Sequence, residues 1–100
     1  FQVVRILDVT ASPEQFGIVD TYPNPFNSTT RITINLPEAL KVDFALYDLS
    51  GRVVFDIASG PLKTGMHTFV IDGSFLASGV YIAQLQASGK DYKSKITLLK

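Results

Sequence analysis

From Thr30 onward the chain alternates between apolar and polar residues. Ile32, Ile34 and Leu36 interleave with Arg31, Thr33 and Asn35, one apolar and one polar face, which predicts a half-buried strand over 30–36. Leu36-Pro37-Glu38 breaks the pattern, and Val42, Phe44 and Leu46 resume it against Asp43, Ala45 and Tyr47. Leu49-Ser50-Gly51 reads as a tight turn with Gly51 at positive φ. Further strands are expected over 52–57, ended by Ser59-Gly60-Pro61, and over 66–71, closed by Asp72-Gly73-Ser74. Phe75-Leu76-Ala77-Ser78-Gly79 is too short for a helix and reads as one helical turn or a compact crossover. Residues 80–87 and 92–99 form a final hairpin around Ser88-Gly89-Lys90.

These six strands, with a further one before Tyr22, are separated by Gly/Pro turns, and no segment keeps a helical period. The pattern predicts an all-β sandwich or barrel. Gly79-Val80-Tyr81 opens the penultimate strand. A tyrosine there resembles the tyrosine corner of sandwich domains, whose hydroxyl bonds back to nearby backbone. The fold expected is therefore an immunoglobulin-like antiparallel β-sandwich of about seven strands.

The first 21 residues read differently. Val3, Val4, Ile6 and Leu7 suit a strand, whereas Ala11-Ser12-Pro13-Glu14-Gln15 is linker-like. Residues 1–21 are expected to be a linker or the tail of a preceding domain, or else an added edge strand, and 22–100 the domain itself. An opening without Met suggests a piece of a longer protein or a processed N-terminus. There is no internal repeat and no low-complexity tract.

Composition narrows the function. One hundred residues suffice for one domain. An apolar fraction of 46% supplies its core. Formal net charge is zero, which argues against a nucleic-acid binder. There is no cysteine, so disulfides and thiolate metal sites are excluded. No apolar run reaches the ~18 residues of a membrane span. No cofactor is expected.

Candidate chemistry is sparse. His67 is the sole histidine, without an Asp or Ser at triad spacing, and reads as a packed sheet residue. No Gly-x-Ser-x-Gly elbow surrounds any serine. Glu14 and Glu38 fall in loops, and the aspartates are scattered, so no carboxylate pair is visible. Asp72-Gly73-Ser74 has residues that would suit Ca²⁺, but Asp and Gly are also what a turn needs. Asn27-Ser28-Thr29 fits a glycosylation acceptor and suits a turn equally. No catalytic residue is expected.

The most specific stretch is Tyr22-Pro23-Asn24-Pro25-Phe26-Asn27. Its prolines fix φ and push the preceding residues to extended geometry, with Tyr22 and Phe26 as apolar anchors. It reads either as a rigid lead-in that blunts a sheet edge or as a recognition surface. Near the end, Lys90, Lys93, Lys95 and Lys100 face only Asp91. Lysines there protect an edge strand from mispairing or meet an acidic partner.

In order, Tyr22–Asn27 is followed by Tyr47-Asp48-Leu49-Ser50-Gly51-Arg52-Val53-Val54, then Gly65-Met66-His67, Asp72-Gly73, Leu76-Ala77-Ser78-Gly79-Val80-Tyr81 and Lys95-Ile96-Thr97-Leu98-Leu99-Lys100. This series resembles the C-terminal sorting domains of the type IX secretion system, which are related in shape to the immunoglobulin-like domain of the flagellar hook-capping protein. The resemblance covers residues 22–100; where family members often carry a proline after the Phe-Asn pair, this chain has Ser28-Thr29. It implies a non-catalytic module of a larger exported protein, carried through the periplasm to the cell surface or medium. The implied partners are the outer-membrane translocon, its processing or attachment machinery, and an N-terminal cargo domain in the same chain. Gly79, Lys93, Lys95 and Lys100 are the expected recognition strip. Tyr22 to Phe26, Gly51, Gly65, Asp72, Gly73 and Tyr81 are the expected structural motif. An edge-strand dimer of the isolated domain is compatible with this reading. The rivals are a carbohydrate-binding module stacking sugars on Tyr47, Phe55, Phe75 and Tyr92, though without tryptophan, and a passive spacer or assembly domain.

Overall fold

The structure, a computed structural model, describes residues 16–100. The readings made for residues 1–10 and 11–15, Glu14 included, fall outside the described residues. Among the described residues seven strands follow one another: β1 (Gly17–Tyr22), β2 (Thr29–Leu36), β3 (Leu40–Tyr47), β4 (Val53–Leu62), β5 (Gly65–Asp72), β6 (Gly79–Ala87) and β7 (Lys90–Leu98), with one 3-10 turn at Gly73–Phe75. They make two antiparallel sheets, a three-stranded one ordered β1-β2-β5 and a four-stranded one ordered β4-β3-β6-β7. The sandwich expected from the alternation is thus the fold observed.

The alternation fixes which side chains meet. Ile32, Ile34, Leu36 and Ile71 from one sheet face Val42, Phe44, Leu46, Tyr81, Ala83, Leu85, Ile96 and Leu98 from the other, and all are buried. Phe44 and Phe69 meet edge-on across the gap, with ring centroids 5.7 Å apart. Phe26 joins this core from a loop.

Four boundaries differ from the sequence reading. The strand before Tyr22 is real and begins at Gly17, paired with β2 and sending Ile18 into the core. Strand β4 runs on through Ser59-Gly60-Pro61 to Leu62, because it is an outer strand, where a proline's missing N–H costs no ladder bond. The 3-10 turn starts at Gly73, capped by the Asp72 carboxylate, which accepts from the Ser74 amide at 2.9 Å. The last hairpin turns on Ser88 and Gly89 alone, at φ 50° and 76°, the positive-φ pair that matches strand twist in a two-residue loop. Strand β7 therefore starts at Lys90 and ends before Leu99.

The β3–β4 turn is organised by one carboxylate. Asp48 Oδ1 accepts from the Ser50 amide at 2.9 Å, the Ser50 hydroxyl at 2.6 Å and the Arg52 amide at 3.1 Å. Gly51, at φ 90°, closes the turn by donating its amide to the Asp48 carbonyl at 3.0 Å. The Ser50 hydroxyl foremost, then the Arg52 amide, hold the Asp48 carboxyl down from its ordinary 3.8 to about 2. A carboxylate stabilised in the fold contributes fully above its unfolded value and loses that contribution as pH falls through its folded one. The turn's contribution is therefore expected to be intact at neutral pH and to disappear between about pH 4 and pH 2. An NMR titration of the Asp48 carboxyl carbon should show a midpoint near 2, and Asp48→Asn should remove this turn's share of the acid sensitivity in thermal melts.

Candidate functional site

Antiparallel pairing carries the motif segments to one end of the sandwich. Tyr22 lies opposite Arg31, Thr29 opposite Asp72, Tyr47 opposite Ile82 and Gly79 opposite Leu98. The loop over 23–28, the turn after Tyr47, the segment over 73–78 and the last two residues all leave the strands at that pole. Gly65 is the exception: paired with Leu36, it lies at the opposite pole, where the neighbouring Thr64 hydroxyl donates to the Leu36 carbonyl at 3.0 Å.

The Pro-Asn-Pro-Phe loop connects β1 and β2 of one sheet yet reaches across to β7 of the other. Asn24 donates its side-chain amide to the Lys95 carbonyl and accepts from the Thr97 amide, both at 3.1 Å. Phe26 continues the ladder with its backbone, donating to the Thr97 carbonyl at 2.9 Å and accepting from the Leu99 amide at 2.8 Å. A side-chain carboxamide carries the same donor and acceptor as a peptide group, so Asn24 extends the strand-like bridge one position further. Together they satisfy the outer edge of β7 from Lys95 to Leu99. The expectation of an extended backbone with two apolar anchors is corrected here. Residues 23–25 bend, with cis peptide bonds before Pro23 and Pro25, and only Phe26 is an anchor, 2% exposed against 66% for Tyr22. Holding Phe26 in the core while the loop crosses between sheets requires the bend.

The remaining motif residues support this clamp. Thr30, buried at the start of β2, donates its hydroxyl to the Pro23 carbonyl at 2.7 Å. Gly73 donates its amide to the Ser28 carbonyl at 2.8 Å. A Cβ at Gly73 would sit 2.8 Å from the Phe26 ring and 3.2 Å from the Ser28 carbonyl oxygen, so the glycine makes room for the anchor. Tyr81 donates its hydroxyl to the Ala77 carbonyl at 2.5 Å, the back-bond anticipated from its position. Asp72, besides capping the 3-10 turn, has its carboxyl held below the usual carboxylate range, chiefly by the Ser74 amide, with Lys100 adding to the effect.

The four expected recognition residues fall into two groups. Lys93 and Lys95 extend from the outer face of the four-stranded sheet, opposite Gln84 and Ile82. They line a shallow depression of about 400 Å³ with Tyr47, Leu49, Ile82 and Gln84. Lys100 lies with Gly79 at the pole itself. Its backbone amide donates to the Ser78 hydroxyl at 2.9 Å, and its side-chain amine donates to the Ser74 carbonyl at 3.2 Å. Sequence reasoning missed Thr30, Ser74, Ser78 and Thr97, because their partners are non-local. Phe75, 88% exposed, and Leu99, 57% exposed, add apolar surface to the same pole.

Other candidate chemistry is dispersed. His67 is half-buried with Nε2 2.7 Å from the Lys63 carbonyl oxygen. Among the described residues no three His, Asp or Glu side chains gather to hold a metal. Of the aromatics considered for sugar stacking, Tyr47 lies on the outer sheet face, Phe75 at the pole, and Tyr92 over the backbone of Gly17.

A family model for the secretion system C-terminal sorting domain matches residues 20–99, and the chain belongs to that family, the sorting signals of type IX secretion. Such a domain marks its protein for export to the cell surface or the extracellular space. No curated protein and no solved structure matches the chain.

The clamp yields two expectations. Gly73→Ala should lower stability by about 1–3 kcal/mol through overpacking against Phe26, measured by urea denaturation. Asn24→Ala should cost about 1–2 kcal/mol for its two lost bonds, and the Thr97 amide should exchange with deuterium faster while amides of β3 keep their protection.

Proposed function

We propose that this domain is a non-catalytic, folded signal for outer-membrane export and surface attachment, read at the outer edge and end of β7. The observation that carries the reading is the clamp itself: four hydrogen bonds from Asn24 and Phe26 hold Lys95 to Leu99 in one geometry. A receptor then meets a surface of fixed shape instead of a flexible tail, and loses less conformational entropy on binding it.

In this reading Lys93 and Lys95 present two amines beside an apolar floor of Tyr47 and Ile82. Lys100 and Gly79 define the end of the strip, Lys100 held there by Ser74 and Ser78. Among the described residues neither Lys93 nor Lys95 forms a salt bridge, so both charges face solvent and suit an acidic surface on the translocon or its attachment machinery. Cargo N-terminal to the domain needs no contact with this strip.

The test is a fusion of residues 16–100 to a periplasm-directed fluorescent reporter, in a host with an intact type IX system and in a translocon-null strain. Export in the intact host alone is the expected result. Lys93→Glu with Lys95→Glu should reduce export about tenfold or more, as expected for losing two charge contacts, with the fold unchanged by circular dichroism. Lys100→Glu is assayed separately because it also breaks the Ser74 contact. Undiminished export of a folded double variant would exclude the lysine strip.

A further inference from the structure

A sandwich of two open sheets has four outer strands, and exposed strand edges invite pairing with other chains unless something blunts them. Three of the four are blunted here. The edge of β7 is covered by Asn24 and Phe26. Strand β1 carries a bulge between Ile18 and Asp20 and lies beside β7, with Gly17 against the Tyr92 ring. Strand β4 has two bulges, at Phe44/Ala45 and Leu46/Tyr47 of its pairing with β3, and contains Gly60 and Pro61.

Among the described residues, strand β5 has none of these devices. It pairs with β2 without interruption from Thr29–Asp72 to Leu36–Gly65. Between Gly65 and Asp72 its sequence is Met-His-Thr-Phe-Val-Ile, with no proline, lysine, acidic residue or bulge. Its outward side chains include Met66, 54% exposed, and Val70, 63% exposed. Its inward side chains are also uncovered at the flank: Phe69 and His67 are half-exposed, whereas their β2 partners Ile32 and Ile34 are wholly buried. Along this edge the flank of the core reaches solvent.

We propose that β5 pairs antiparallel with β5 of a second copy of the chain, joining two three-stranded sheets into one of six strands. The strand is complementary to itself. With Thr68 opposite the second copy's Thr68, Met66 falls opposite Val70, apolar on apolar, and Thr on Thr, both favourable cross-strand pairs. The ends match in charge as well. Lys63 precedes the strand and Asp72 ends it, so antiparallel pairing sets the basic end of one copy against the acidic end of the other. Reversing the direction would place like charges together. The added strand also covers the half-exposed flank of Phe69. Because β5 lies in the other sheet from β7, pairing leaves Lys93, Lys95 and the clamp free.

Sedimentation equilibrium on the full chain tests this. A monomer–dimer equilibrium is expected, and slower deuterium exchange of β5 amides as concentration rises. Thr68→Lys sets two positive charges opposite each other at the two-fold axis and should weaken dimerisation roughly tenfold or more. Val70→Lys, at an exposed site, should act in the same direction should the loss of the Thr68–Thr33 hydroxyl bond disturb the first variant. Val53→Lys on β4 should leave the dimer intact. A chain that stays monomeric at millimolar concentration overturns the proposal. So does a dimer that survives both β5 variants, or one dissolved by Val53→Lys alone.

Discussion

The carboxamide of Asn24 and the peptide of Phe26, laid along the edge of β7, are the contact on which the rest of the arrangement depends. A C-terminal edge strand is ordinarily the easiest part of a sandwich to fray, because half of its backbone groups face water. Here those groups from Lys95 to Leu99 are paired with a loop belonging to the opposite sheet. The loop can lie there only because Phe26 is buried, and Phe26 can be buried only because Gly73 has no side chain. Residues far apart in sequence thus form one interlocked unit, tied to β2 through Thr30 and to the 3-10 turn through Ser28.

The two sheets differ at their edges. The four-stranded sheet offers an outer face with Tyr47, Ile82, Lys93 and Lys95, and its β7 edge is closed. The three-stranded sheet keeps a regular, uncharged edge at β5. One side of the sandwich thus has its edge closed by a loop, and the other has an edge that runs regular and uncharged. The poles differ in the same way. One carries the motif loops, Phe75 and Leu99, while the other holds short connections at Lys63-Thr64 and Ser88-Gly89.

Much of this was legible in the sequence. Period-two alternation marked the strands of the core, because a half-buried strand must alternate, and Ile32, Ile34, Phe44 and Leu46 are buried as that pattern required. Tyr81 was legible because its back-bond is local, reaching only to Ala77. The start of β7 was misjudged because Lys90 and Asp91 look like loop residues, whereas the positive φ of Ser88 and Gly89 shortens the turn. The extension of β4 through Pro61 was hidden because whether a strand lies at an edge is a property of the sheet. For the site, the special status of the Pro-Asn-Pro-Phe stretch was visible, but its partners were not. No local pattern says that Asn24 will meet Lys95 and Thr97, or that Ser74 and Ser78 will hold Lys100.

The separation between those partners has a consequence in time. Asn24 and Phe26 leave the ribosome early within this domain, and the strand they bind follows more than seventy residues later. Contacts of such long separation form only after the intervening chain is present. Until Thr97 and Leu99 have been made, Phe26 has no ladder to join and β6 lacks its outer neighbour. A polypeptide cut short upstream by a premature stop or a stalled ribosome therefore never acquires the finished shape. The sandwich can close its last edge only once translation has run past Leu99.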